Sequence, residues 1–168
     1  MKDGMNQGID PKHQKDIDQF ISMANSNTTE IKVKDYGAKS KKLNKKRSVK
    51  QIFKNSSSYG KNALLLYRIS NYFKPKTILE LGTSIGIGSL HLHLGQASAK
   101  ITSVEGCPET FKLAQKSLHG KPIELINRTF YDFIKELNKE SFDLVFIDGH
   151  HDGEALKYYL ELLDKRIH

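Results

Sequence analysis

This sequence of 168 residues predicts an α/β fold, a Rossmann-like parallel sheet with helices on both faces. Three observations predict it. Between Thr77 and Leu163, short apolar runs alternate with segments of helical period, the pattern of successive βαβ units. The first run passes directly into a glycine-rich loop. Carboxylates stand at the ends of three runs, where ligands bind in sheets of this kind.

The elements follow in order. Residues 1–15 are polar and read as a frayed start. Lys15–Ala24 places Ile17, Phe20, Ile21 and Ala24 at helical spacing. Asn25–Thr29 is a turn-like cluster, and Ile31–Val33 is suited to an extended segment. Asp35–Arg47 has few apolar residues and reads as an exposed, mobile loop. Ser48 is placed to cap a short helix carrying Val49, Ile52 and Phe53. From Tyr59 on, apolar residues cover most of a helical surface until Pro75 ends it. Strands are then expected at Thr77–Leu81, Lys100–Glu105, Ile123–Asn127 and Phe142–Asp148, with helices at Ser89–Leu94, Pro108–Leu118, Tyr131–Leu137 and Gly153–Leu163. The expected order of these strands in the sheet is 3-2-1-4. The division is an N-terminal helical and basic segment, 1–58, before a ligand-binding domain, 59–168.

Composition narrows the classes. A single cysteine, Cys107, excludes an internal disulfide and a cysteine-based zinc cluster. No apolar run approaches the ~20 residues that cross a bilayer, and the N-terminus has no signal-peptide core. A reducing, cytoplasmic setting is expected, with no membrane partner. The net charge of +8 is local: residues 32–54 hold ten basic side chains against Asp35, and the remaining residues sum to −1. The run has little aromatic interleaving on which bases could stack. It therefore reads as a lid over the site, and nucleic acid is not the expected partner.

Three stretches carry chemistry. ILELGTSIGIGSLHL (Ile78–Leu92) has the spacing G-x-x-x-G-x-G at Gly82, Gly86 and Gly88. It is neither the dinucleotide fingerprint nor a P-loop. A glycine directly after the strand lets a ligand lie on the backbone; a plain tight turn is the other reading. Glu105 ends the second strand, where an acid accepts from both hydroxyls of a ribose. FDLVFIDGHH brings Asp148, Gly149, His150 and His151 to the end of the fourth strand. A histidine there can take a proton from a substrate hydroxyl; a surface loop histidine is the alternative. His91 and His93, two apart on a helix, point to different faces and are not a metal pair. Tyr158 and Tyr159 read as packing.

The set Glu80, Gly82, Gly86, Gly88, Glu105 and Asp148 resembles class I S-adenosylmethionine-dependent methyltransferases. LELGTSIGIGS and DLVFIDGHH are most similar to the O-methyltransferase branch, and KDYGAKS to a DFGAGS-like segment of bacterial members, with Lys39 where these often have glycine. The resemblance implies S-adenosyl-L-methionine as cofactor and methyl transfer to a hydroxyl of a small molecule or sugar. Glu80 would orient the glycine loop or the methionine end. Gly82, Thr83 and Ser84 would line the methionine portion, with Gly86 and Gly88 beside it. Glu105 would bind the ribose, with Gly106 and Cys107 beside the adenosine. Thr129 and Phe130 would flank adenine, although many relatives have Asp at Thr129. Asp148 would lie near the sulfonium and the acceptor, next to Gly149 and His150, and His151 would be the general base. In metal-dependent relatives the residue matching Asp148 binds magnesium; the other expected acids are missing, so no metal is expected.

The resemblance also implies seven strands, of which this sequence supplies four, so a C-terminally truncated domain is expected. The fourth strand would then be an open apolar edge, which a homodimer could cover. A catalytically incomplete cofactor-binding module is the alternative function. A nucleic-acid methyltransferase using the basic loop ranks below it.

Overall fold

The computed structural model describes residues 8–34, 44–55, 60–138, 140–149 and 153–167. Helix α1 spans Pro11–Ser26. It starts four residues before the expected position because Asp10 accepts the Lys12 N–H at 2.8 Å and Pro11 occupies a first-turn position, where its missing N–H costs nothing. Strand β1 (Glu30–Lys34) pairs antiparallel with β2 (Asn44–Ser48). This corrects the loop expected over Asp35–Arg47: residues 44–47 are strand. Ile31 and Val33 give β1 an apolar face that packs on the core, so its backbone takes a partner strand, and long lysine stems keep their charges in water. Residues 35–43, with most of the KDYGAKS segment, lie outside the described residues.

Helix α2 (Val49–Lys54) begins with a complete capping box, Ser48 exchanging hydrogen bonds with Gln51. Helix α3 (Lys61–Phe73) ends as Lys74 adopts a left-handed conformation, ahead of Pro75. Then β3 (Thr77–Leu81), α4 (Ile87–Gly95), β4 (Lys100–Glu105), α5 (Pro108–Ser117), β5 (Ile123–Asn127), α6 (Phe130–Glu136), β6 (Leu144–Ile147) and α7 (Gly153–Leu163) alternate. The sheet is parallel with order β5-β4-β3-β6, the expected arrangement.

Alternation along β3 sorts its side chains between two layers. Leu79 and Leu81 pack with Phe133, Ile134, Tyr159 and Leu163 of α6 and α7. Ile78 faces the other way, with Leu92 of α4 and Leu66 of α3. Every residue of α4 is buried, since α3 and α1 cover its outer side. Ile17, Phe20 and Ala24 of α1 and Val49, Ile52 and Phe53 of α2 share one cluster with Ile85, Ile87, Leu90 and Leu94. The N-terminal segment is thus packed behind the glycine loop. On the opposite flank β6 is half-buried along its length. Past α7 the chain returns to it: the Arg166 carbonyl accepts the Phe142 N–H at 2.7 Å, and Ile167 bridges Phe142 in parallel.

Candidate active site

The chain winds from β3 to β4 to β5 in one direction and then places β6 on the other side of β3. The loops after β3 and β6 therefore diverge, leaving a crevice at their C-terminal ends. Gly82 and Asp148 meet there. Gly82 has φ 115°, and a Cβ on it would lie 2.7 Å from the Asp148 carbonyl carbon and closer still to its oxygen. Gly82 is therefore required by backbone approaching backbone, which is not the reason the sequence suggested. Gly86 (φ 99°) is the N-cap of α4, with the Leu118 side chain 2.8 Å from where its Cβ would be. Gly88 is buried in the first turn of that helix.

Glu105 fastens the loop between them. Its carboxylate accepts the Ser84 N–H and the Cys107 N–H, each at 2.8 Å. Ser84 holds a left-handed conformation, φ 51°, uncommon for a residue with a side chain. Burial pushes the Glu105 pKa up, against the pull of the Cys107 and Ser84 amides. The Thr110 hydroxyl and the Gly106 amide also lie on this carboxylate and pull in the same direction, so four donors of the chain itself surround it. Asn127, which sequence reasoning passed over, braces the turn: its Nδ2 donates to the carbonyls of Glu105 at 2.6 Å and Gly106 at 3.3 Å.

Glu80 sits below the loop, wholly buried on the α4 side of the sheet. Its Oε2 accepts the hydroxyls of Ser89 and, at 2.5 Å, Ser103. Thr83 turns its hydroxyl inward to Ser103 at 2.6 Å, so its side chain belongs to this buried group. Among the described residues Glu80 Oε1 has no hydrogen-bond partner. Burial raises the Glu80 pKa to about 7; the serine hydroxyls oppose this, and the nearby Asp148 and Glu105 charges add to it. Ser89 and Ser103 were also missed. Ser103 is the β4 residue in register with Glu80, and the two are the wholly buried polar pair of the β3–β4 ladder.

The remaining candidates surround this centre. Cys107 is buried, with Sγ accepting the Lys34 N–H at 3.3 Å, so its thiol faces β1. Thr129 caps α6, accepting the Asp132 N–H at 3.2 Å. Phe130 lies edge-on to Tyr159 and closes over Gly149, where a Cβ would be 3.2 Å from its ring. The Asp148 N–H donates to the Leu81 carbonyl at 2.8 Å, fixing the loop after β6 against β3. His150 and His151 lie outside the described residues. His91 is buried with Nδ1 2.8 Å from the Ile87 carbonyl, and His93 is buried beside it on α4. Among the described residues, no group of three or more His, Cys, Asp or Glu side chains is arranged to hold a metal ion. Among the same residues, no helix is long and apolar enough to cross a membrane.

A family described as a methyltransferase domain matches residues 79–168, which begin in β3 and contain the whole crevice. The chain belongs to this family. No curated protein matches the methyltransferase chain significantly. Among solved structures, it is similar to a cofactor-bound protein from MTB, at 23% identity and a TM-score of 0.60, over 66% of this chain and 52% of that one. An O-methyltransferase from Bacillus cereus in complex with SAH matches at 16% identity and TM-score 0.61, over 95% of this chain and 63% of that one. The O-methyltransferase TomG of Streptomyces achromogenes, involved in tomaymycin synthesis and solved with SAM, matches at 21% and 0.56, over 62% and 49%. At these identities the likeness establishes the shared fold. The methyltransferase chain spans about half to two-thirds of the length of these proteins.

Proposed function

We propose that this chain binds S-adenosylmethionine across the C-terminal ends of β3, β4 and β6 and transfers its methyl group to a hydroxyl of a small molecule or sugar. The observation that carries the reading is the Glu105 carboxylate, which stands at the C-terminal end of β4 on the rim of the crevice and holds the glycine loop and the turn after β4 by the Ser84 and Cys107 amides. That position fits a ribose diol. Glu80, buried beneath the loop and tied to Ser89 at the start of α4 and to Ser103 of β4, orients the glycine loop on which the methionine end of the same cofactor would lie.

In this reading Gly106 and Cys107 run beside the adenosine, with Thr129 and Phe130 flanking adenine. Gly82, Thr83 and Ser84 offer backbone to the methionine portion, and Gly86 and Gly88 start the helix behind it. Asp148 and Gly149 form the wall toward the acceptor; His150 and His151 lie outside the described residues, and the family resemblance gives His151 the role of taking the hydroxyl proton. The bound sulfonium supplies a methyl group already activated for displacement. The protein has to hold the acceptor oxygen in line and keep water out, and such positioning can be worth ~7–11 kcal/mol.

Calorimetric titration of the chain with S-adenosylhomocysteine tests this. Binding is expected for the wild type. Glu105→Gln should weaken it about tenfold or more, since hydrogen bonds to a charged group contribute roughly 1.5–3 kcal/mol. A folded sample that binds neither S-adenosylmethionine nor S-adenosylhomocysteine would overturn the reading.

A further inference from the structure

The basic segment plays no part in the crevice described above, yet the fold builds it into a defined object. Lys32 stands directly opposite Lys46 in the β1–β2 ladder, and both are exposed. Lys34, two residues further along, is also exposed and shares their face, because side chains alternate along a strand. Glu30, opposite Ser48, is the acid at the far end of that face. Like charges directly opposed across a ladder are destabilising. Among the described residues no carboxylate forms an ion pair with Lys32 or Lys46. Nor is the ribbon free to turn them elsewhere, since Ile31 and Val33 on its other face pack on the core.

The ribbon is also tied to the rim of the crevice. Cys107 Sγ accepts the Lys34 N–H at 3.3 Å and donates to the Lys32 carbonyl at 3.7 Å, and the Cys107 N–H is held by Glu105. Two ammonium groups, those of Lys32 and Lys46, are thus based roughly 5 Å apart, the spacing of paired strands. That footprint matches one phosphate or diphosphate group. A nucleic-acid strand would need a longer track and aromatic faces for its bases, and the described ribbon residues include no aromatic.

We infer that this face is an anion subsite for the methyl acceptor: the acceptor carries a phosphate or diphosphate group, held by the opposed pair Lys32 and Lys46 while its hydroxyl enters the crevice. The word acceptor rests on the methyl-transfer reading, but the anion site does not. The test titrates inorganic diphosphate into the full chain at physiological salt, with S-adenosylhomocysteine titrated into the same samples. Lys32→Glu places opposite charges across the ladder, so this variant should melt no lower than the wild type. Its diphosphate affinity should fall about tenfold or more, the scale of losing charge-assisted contacts, while S-adenosylhomocysteine binds as before. Equal diphosphate binding by the two proteins, or none by the wild type, overturns the inference. So does an RNA oligonucleotide binding more than about 100-fold tighter than diphosphate with a steep salt dependence. Loss of S-adenosylhomocysteine binding by the wild type would count against the proposed function and leave the anion site standing on its own measurement.

Discussion

Replacing Glu80 by glutamine should make the protein more stable at alkaline pH and change little at acid pH. Glu80 is wholly buried, and its pKa rises from 4.5 to about 7, chiefly through that burial. The unfolded chain therefore releases this proton first. Between the two values the folded state binds more protons than the unfolded state, so stability declines as pH rises. The stabilising contribution is complete below pH 4.5, is lost through the interval, and stays lost above about 7. At 1.36 kcal/mol per pH unit the whole interval amounts to about 3 kcal/mol. Between pH 5 and pH 8 the stability gap between Glu80→Gln and the wild type should therefore widen by about 2–3 kcal/mol in favour of the variant. The glutamine carbonyl can still accept from Ser89 and Ser103, so the hydroxyl group of contacts survives. Urea unfolding of both proteins at several pH values between 5 and 8 measures the gap. A difference that stays constant with pH would show that the carboxyl is not ionising in a dry site, and the account of the cluster would fail.

Two further outcomes follow from the backbone. Gly82→Ala puts a Cβ inside the Asp148 carbonyl at φ 115°; positive-φ strain and overpacking, each roughly 1–3 kcal/mol, should together cost about 2–5 kcal/mol in urea unfolding. A cost under about 1 kcal/mol would mean that the loops after β3 and β6 are not in contact. Ser48→Ala removes the bond from the Gln51 N–H to the Ser48 hydroxyl and leaves the one from the Ser48 N–H to the Gln51 side chain; it should lower stability by about 1 kcal/mol, read as a shifted urea midpoint at unchanged slope.

Much of the sheet was legible in the sequence. The runs around Leu79, Val104, Ile126 and Val145 are apolar and bounded by turn residues, and the parallel order followed from their alternation with helices. The rim carboxylate Glu105 was equally legible, because the end of a strand is a position that sequence defines. The buried group under the loop was not. The Thr83 hydroxyl bonds Ser103, twenty residues away in sequence, a contact that no spacing within the glycine loop announces. The basic segment misled for the opposite reason: its charge density imitates a loop, and only the apolar face of Ile31 and Val33 reveals a strand.

Periodicity, caps and strand-end residues are properties of neighbours in the chain, and these were enough for the α/β class, the strand order and the crevice. Which side chain meets which across the sheet is a property of packing. Gly82 against Asp148, the Glu80 hydroxyl cluster, and Cys107 joining the lysine ribbon to Glu105 all link residues at least fourteen apart in at least one of their contacts. No local pattern encodes such pairs, because each depends on the register and the layer into which the whole core settles.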